Sequence, residues 1–260
     1  MKYIICSGWW CDQESEDGGS YRVGGDSAIR SSSFHDIWYR SIDAFTNPEK
    51  ILIVDSNSPT PPRLNPDDRR LEYLRLPSNP GHSTMCSDKF CGWSQSAILG
   101  MQYALACGVD YVVYVEQDAL LYGNGIIEHA IRSMSSPYAF GEGANTPQAL
   151  QQSFFIIRSD GIADFLNRLL SFSETDREMA PELKFALATS PLLTACWPVL
   201  RWRKRKKWVR FFRKRPSFDL LPFGSGRARP IDFSEPFFYF QHGTREELAA
   251  YSERSGIKIL

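Results

Sequence analysis

Tyr111-Val112-Val113-Tyr114-Val115-Glu116-Gln117-Asp118-Ala119-Leu120-Leu121 is the stretch on which the reading of this chain turns. Its first five residues are β-branched or aromatic without a break, the composition of a strand covered on both faces. Two carboxylates one residue apart then end the apolar run. Where the strand breaks between them, acids at i and i+2 project beside one cation, and their oxygens suit Mg²⁺ or Mn²⁺. The plainer alternative is a solvated strand end.

Outward from this stretch, strand and helix signals alternate. Upstream, Ala97, Met101, Ala104 and Leu105 fall on one side of a predicted helix over 92–106, with Gly108 as its cap. Residues 3–6 and 51–54 read as buried strands, the first ending at Ser7-Gly8 and the second at Asp55-Ser56-Asn57. Between them, Phe34, Ile37, Trp38, Ile42 and Phe45 recur at helical spacing until Asn47-Pro48 stops them. A third strand is predicted over 71–76, and the Gly-, Ser- and Pro-rich stretches 11–33, 59–66 and 77–89 read as loops. Downstream the pattern predicts helices over 126–134, 162–170 and 181–189, and strands over 138–140 and 153–157. Repeated β-α-β units with buried strands make an α/β fold with a mostly parallel central sheet and helices on both faces. Ligands of such sheets bind beyond the carboxyl ends of the strands, here Ser7-Gly8, residues 55–57 and residues 116–118. The chain has neither a Rossmann nor a P-loop glycine fingerprint.

A hydrophobic strand, acid-x-acid and a following apolar stretch resemble the Asp-x-Asp motif of GT-A glycosyltransferases, and the order of elements resembles that family over residues 1–170. The resemblance implies a GT-A-like domain that takes a nucleotide-sugar donor. Cys6, Ser7 and Gly8 would line the donor site, and Asp55 would contact the nucleoside. Glu116 and Asp118 would hold Mn²⁺ or Mg²⁺. Glu116 stands where the family usually has its first Asp. Many members carry Ala-Arg-Asn in the helix before the motif, where this chain has Ser96-Ala97-Ile98, and the phosphate contact is then expected from Lys89. The family's C-terminal metal-site histidine is matched by His242 in Tyr239-Phe240-Gln241-His242-Gly243. An inverting member needs a base near the acceptor hydroxyl. Glu182, next to Pro181 at a helix start, fits that role, although an acid there also complements the helix dipole. Glu142, between Gly141 and Gly143, is the competitor, and a retaining enzyme would need neither. A nucleotidyltransferase making nucleotide sugars is the alternative reading. A catalytically lapsed membrane-bound scaffold is another.

The chain has 260 residues, 43% of them hydrophobic, which suits one α/β domain. Residues 1–175 are expected to form the nucleotide-sugar-binding part. Residues 176–260 would form an acceptor- and membrane-contacting region of the same domain. The acceptor implied is a glycan or a lipid-linked sugar. No export signal is visible after Met1-Lys2, so a cytoplasmic protein, peripheral at the inner membrane face, is expected. Its six cysteines should then be reduced. Cys6, Cys11, Cys86 and Cys91, with His82 nearby, lack the spacing of common zinc sites.

Net charge is zero, but residues 201–215 hold ten of the 30 Lys and Arg and no acid, leaving 20 basic against 30 acidic residues elsewhere. Trp202, Trp208, Phe211 and Phe212 lie among them, the composition of an interfacial membrane segment. An anionic membrane surface is therefore the expected partner. Nucleic acid is the other polyanion that basic and aromatic residues suit, and nothing else in the chain points to it. The uncharged run 185–200 is too short to span a bilayer, and residues 192–200 are expected to dip into the headgroup layer.

Overall fold

The computed structural model describes residues 1–12, 25–143, 146, 148–200, 205–214 and 216–259. The strands of its main sheet are β1 (Tyr3–Trp9), β2 (Lys50–Asp55), β3 (Leu71–Arg75), β4 (Tyr111–Val115), β6 (Tyr138–Glu142), β7 (Leu150–Arg158) and β8 (Asp219–Leu220). They lie in the order β3-β2-β1-β4-β7-β6-β8. The four strands β3, β2, β1 and β4 are parallel, β7 is antiparallel to both neighbours, and β8 runs parallel to β6. A second sheet joins β5 (Ala119–Tyr122), β10 (Phe238–Gln241) and β9 (Ser225–Gly226) in the order β5-β10-β9. The fold is α/β, with a mostly parallel central sheet.

Strand periodicity divides the core cleanly. Ile4, Cys6, Leu52, Val54, Val112, Tyr114, Phe155 and Ile157 point to one face. Tyr3, Ile5, Ile51, Ile53, Val113, Val115, Phe154 and Ile156 point to the other. The first face is covered by α2 (Gly92–Cys107), α4 (Ser159–Ser171), α5 (Pro181–Ala188) and side chains of α6 (Pro191–Leu200) and α7 (Arg205–Lys214). The second is covered by α1 (Phe34–Phe45), α3 (Ile126–Ser133), α8 (Arg245–Ser255) and the smaller sheet.

The first strand continues to Trp9, past the Ser7-Gly8 turn predicted from sequence, because Ser7, Gly8 and Trp9 pair with Ile53, Val54 and Asp55 of β2. Gly8 is required by packing. A Cβ there would lie 2.7 Å from Ser96 Oγ and 3.0 Å from Tyr114 OH, so its absence lets α2 settle on β1. The prolines of residues 191–200 do not prevent a helix: Pro191 is at its start and Pro198 in its last turn. Residues 205–214 and 245–255 are also helical beyond the sequence expectation. Among the described residues, no helix is long and apolar enough to cross a membrane.

Candidate active site

The carboxyl ends of β1 and β4 lie side by side at the middle of the sheet. After Val115 the chain leaves the main sheet: Glu116 N still donates to Ser153 O of β7 (2.8 Å), and by Ala119 the backbone has joined β5 of the second sheet. Residues 116–118 are the corner between the two sheets. This is why two acids follow the most hydrophobic strand.

The corner is held from both sides by glutamines. Gln117 clamps the end of β1, its Oε1 accepting from Trp10 N (2.7 Å) and its Nε2 donating to Trp10 O (3.0 Å). Trp10, 42% exposed, is thereby tied through its backbone to the residue between the two acids. Gln241, the last residue of β10, sorts the charges. Its Nε2 donates to Glu116 Oε2 and to Asp118 Oδ1 (2.9 Å for the latter), while its Oε1 accepts from Arg227 Nε (3.0 Å). His242 Nε2 lies 3.3 Å from Asp118 Oδ2. His242 has φ 57°, the left-handed region that a non-glycine residue occupies only when its surroundings enforce it. The enforcement is visible in Arg229, whose Nη2 binds Gln241 O at 2.8 Å and His242 O at 3.4 Å. Arg227 is aimed by a second buried amide: Gln151 Oε1 accepts from Arg227 N (2.6 Å) and Gln151 Nε2 donates to Glu142 O (2.6 Å). Gly226 at φ 54° fits against Gln151 where a Cβ would come within 2.4 Å of its Oε1.

Electrostatically, Glu116 is the uncomfortable member. Burial pushes its carboxyl well above the usual range, the negative charge of Asp118 pushes further, and Glu182 adds to both; Arg227 and the Gln241 bond oppose them. Glu182, in the first turn of α5, is near enough for its charge to bear on Glu116. The helix is anchored there by a buried ion pair. Lys184 Nζ donates to Asp176 Oδ1 (2.8 Å) and Glu174 O (2.6 Å), and Asp176 Oδ2 accepts from Cys91 N (2.9 Å) ahead of α2. Neither side chain of the pair has more than 1% exposure.

The corner therefore gathers Glu116, Asp118, Glu182 and His242, and adds Arg227, Gln241 and Trp10, which the sequence alone did not single out. The Gly-Ser-Gly-Arg turn at 224–227 was the available signal for Arg227. Other predicted site residues have different occupations. Asp55 is fully buried, its oxygens accepting from Ser58 N (2.8 Å) and Tyr73 OH (2.6 Å), with Arg75 Nε at 3.6 Å. Lys89 Nζ donates to Leu170 O (2.8 Å) at the end of α4. Cys6 is buried in the core, where burial raises its thiol, and Ser7 is buried beside it. Glu142 is exposed at the end of β6, and its backbone rather than its carboxylate meets Gln151.

Among the described residues, no three His, Cys, Asp or Glu side chains form a group placed to hold a metal ion. At the corner, the Gln241 NH₂ group donates to both carboxylates. The donor chemistry itself suits a hard divalent cation: two carboxylates and an imidazole, with one carboxylate raised by burial and by its acidic neighbour. A cavity of about 470 Å³ opens toward the other end of β10, lined by His129, Phe223, Asp232, Glu235 and Phe237 among others. None of the four gathered side chains Glu116, Asp118, Glu182 and His242 lines it.

No protein-family model matches the sequence, and no curated protein matches it. Among solved structures the chain is similar to S. aureus TarS 1-349 in complex with UDP, at 13% identity and a TM-score of 0.42 over 72% of this chain. It is also similar to a mannose-1-phosphate geranyltransferase from Thermus thermophilus, at 10% identity and a TM-score of 0.36 over 67% of this chain. The chain spans 55% of the first protein and 66% of the second. Both TM-scores lie below 0.5, so the functional reading rests on the geometry at the corner.

Proposed function

We propose that this chain is a GT-A-like glycosyltransferase that moves a sugar from a nucleotide-diphosphate donor to a glycan or lipid-linked acceptor. The observation that carries the reading is the convergence of Glu116, Asp118, His242, Arg227 and Glu182 at the carboxyl ends of β1 and β4. That edge is where α/β sheets take their ligands. Asp118, His242 and Glu116 would hold Mn²⁺ or Mg²⁺ once Gln241 turns its amide aside, and the cation supplies charge neutralisation for a leaving diphosphate. Arg227, whose Nε donates to Gln241, would add a positive charge opposite the phosphates. Trp10 offers an aromatic face for a base or sugar ring. Glu182, at the amino end of α5, accepts the proton of the attacking acceptor hydroxyl, a role in which a displaced sugar inverts.

We also propose that the basic stretch 201–215 brings the enzyme to an anionic membrane surface, where a lipid-linked acceptor would be found. Residues 201–204 and 215 lie outside the described residues.

Hydrolysis of a panel of nucleotide sugars, with and without added Mn²⁺, tests the enzymatic reading. Release of nucleoside diphosphate from one donor, lost in excess chelator and restored by Mn²⁺, is expected. Full activity in chelator overturns the metal assignment, and indifference to every donor overturns the transferase reading.

A further inference from the structure

We propose that the outer face of α6, rather than the aromatic side of α7, is the element that enters the interfacial layer of an anionic phospholipid bilayer. This rests on the membrane-surface reading above and relocates its apolar contact. The sequence placed four aromatics of the basic stretch at the membrane. The structure corrects that for two of them: Trp208 and Phe212 are 6% and 0% exposed and belong to the core beneath the sheet. Trp202 lies outside the described residues, and Phe211 alone of the other three is partly open, at 39%.

The apolar surface lies one helix earlier. Residues 191–200 contain no charged side chain. Leu192 and Val199 are 71% and 79% exposed, above every other exposed large hydrophobic among the described residues. They are seven positions apart, two helical turns, and so share one face, with exposed Ala195 between them. The opposite side of α6 is fixed to the protein. Trp197 is 8% exposed, donates from Nε1 to Glu174 Oε1 (2.9 Å), and meets Trp208 of α7 with ring centroids 5.9 Å apart. The two helices thus touch through their inward tryptophans, which leaves Leu192 and Val199 of the one and Lys207 and Arg210 of the other exposed.

Those outer faces are complementary in kind. On α7 the exposed positions among the described side chains are Lys207, Arg210 and Phe211, spaced i, i+3, i+4. An uncharged apolar ridge beside a basic one is the arrangement of a surface-lying membrane helix, with cations at the headgroup phosphates and aliphatics at the acyl boundary. Ten residues give α6 about half the length needed to span the hydrocarbon core, so it lies in the plane of the interface. Charge complementarity selects the occupant. The neighbouring segment is the most basic in a chain that is otherwise acidic, so anionic headgroups are attracted to this patch and to no other comparable stretch.

Co-sedimentation of the full chain decides the matter, with vesicles of phosphatidylglycerol plus phosphatidylcholine and of phosphatidylcholine alone. The comparison is wild type against Leu192→Ser/Val199→Ser and against Lys207→Gln/Arg210→Gln, each checked for native circular dichroism and nucleotide-sugar hydrolysis. Wild type should bind the anionic vesicles and retain part of that binding at high salt. The α6 pair should lose at least about tenfold in partitioning at physiological salt, with its remainder abolished by added salt. The α7 pair should lose binding chiefly at low salt. Wild type that ignores anionic vesicles, or prefers nucleic acid, overturns the membrane reading and this inference together. Wild type that binds while Leu192→Ser/Val199→Ser binds equally well overturns the inference alone. A wild-type dimer in light scattering that the α6 pair converts to monomer shows a face for self-association, which also overturns it.

Discussion

Charge gathers in two places in this protein, and the two are built in opposite ways. At the corner after β4, Glu116, Asp118, Glu182 and His242 are drawn from three distant segments, and buried amides set their positions. Along α7, the charges are close together in sequence, and those whose side chains are described, Lys207 and Arg210, are exposed. Burying like charges together is costly, so the corner exists only because many partners hold it, and each side chain there has an individual task. Exposed charges cost little and act through their sum. One substitution should therefore ruin the corner, whereas the basic stretch should lose its effect gradually.

The largest break should come from Asp118→Ala, which removes the carboxylate shared by Gln241 and His242. Transfer is expected to fall by about 10³-fold or more while circular dichroism stays native, as several kcal/mol of charge stabilisation at the leaving diphosphate are lost. A variant with ordinary turnover would make the corner as tolerant as the surface. Next in size is Glu182→Gln. As the base, it should lower kcat by about 10²-fold or more and leave donor affinity nearly unchanged. Unchanged kcat would return Glu182 to the helix dipole.

Lys184→Met sharpens the comparison on the side of stability. It leaves Asp176 charged, buried and unpaired, at a cost of about 3–5 kcal/mol. The exposed Arg158–Asp160 pair (2.8 Å), broken as Arg158→Gln, should cost about 0.5 kcal/mol or less. Denaturant titrations of the two variants read the difference directly.

A pH-dependent effect concerns His35, buried between Trp9 and Trp38 with its Nδ1 on Arg63 O at 3.0 Å. Burial lowers its pKa from 6.5 to about 4, against the weaker opposing pull of Arg63 O and Asp36. Above pH 6.5 both folded and unfolded chains hold a neutral ring there, and His35 adds no pH dependence. As pH falls from about 6.5 to about 4, the unfolded chain takes up a proton that the folded chain refuses. Stability should then decline by up to about 3 kcal/mol, and below pH 4 this contribution should level off. His35→Phe should remove that part of the slope in thermal melts across the range, and an unchanged slope would assign it to other groups.

Much of the parallel half of the fold was legible in the chain. Runs such as Ile51-Leu52-Ile53-Val54 and Tyr111 to Val115 are apolar at every position because both faces of their strands are covered, and that pattern survives in one dimension. The acid pair was legible too, since 116 and 118 are neighbours and their abrupt polarity marks a strand end. The short strands β8, β9 and β10 left weaker traces. They are two to four residues long, and pairing with distant partners such as Tyr239 with Leu121, rather than propensity, decides them.

The sequence by itself determined the alternation of strands and helices, the edge where the acids lie and the place where basic charge concentrates, because each is written in residues close together along the chain. Only the tertiary structure decided which side chains serve those places. It sealed Asp55 beneath Tyr73 and Arg75, tied Lys89 to the end of α4, brought Gln241 and Arg227 across more than a hundred residues to the acid pair, and turned Trp208 and Phe212 inward while leaving Leu192 and Val199 outside. The physical reason is common to all of these: a polar or aromatic side chain takes its role from the neighbours that packing gives it, and those neighbours are distant in sequence.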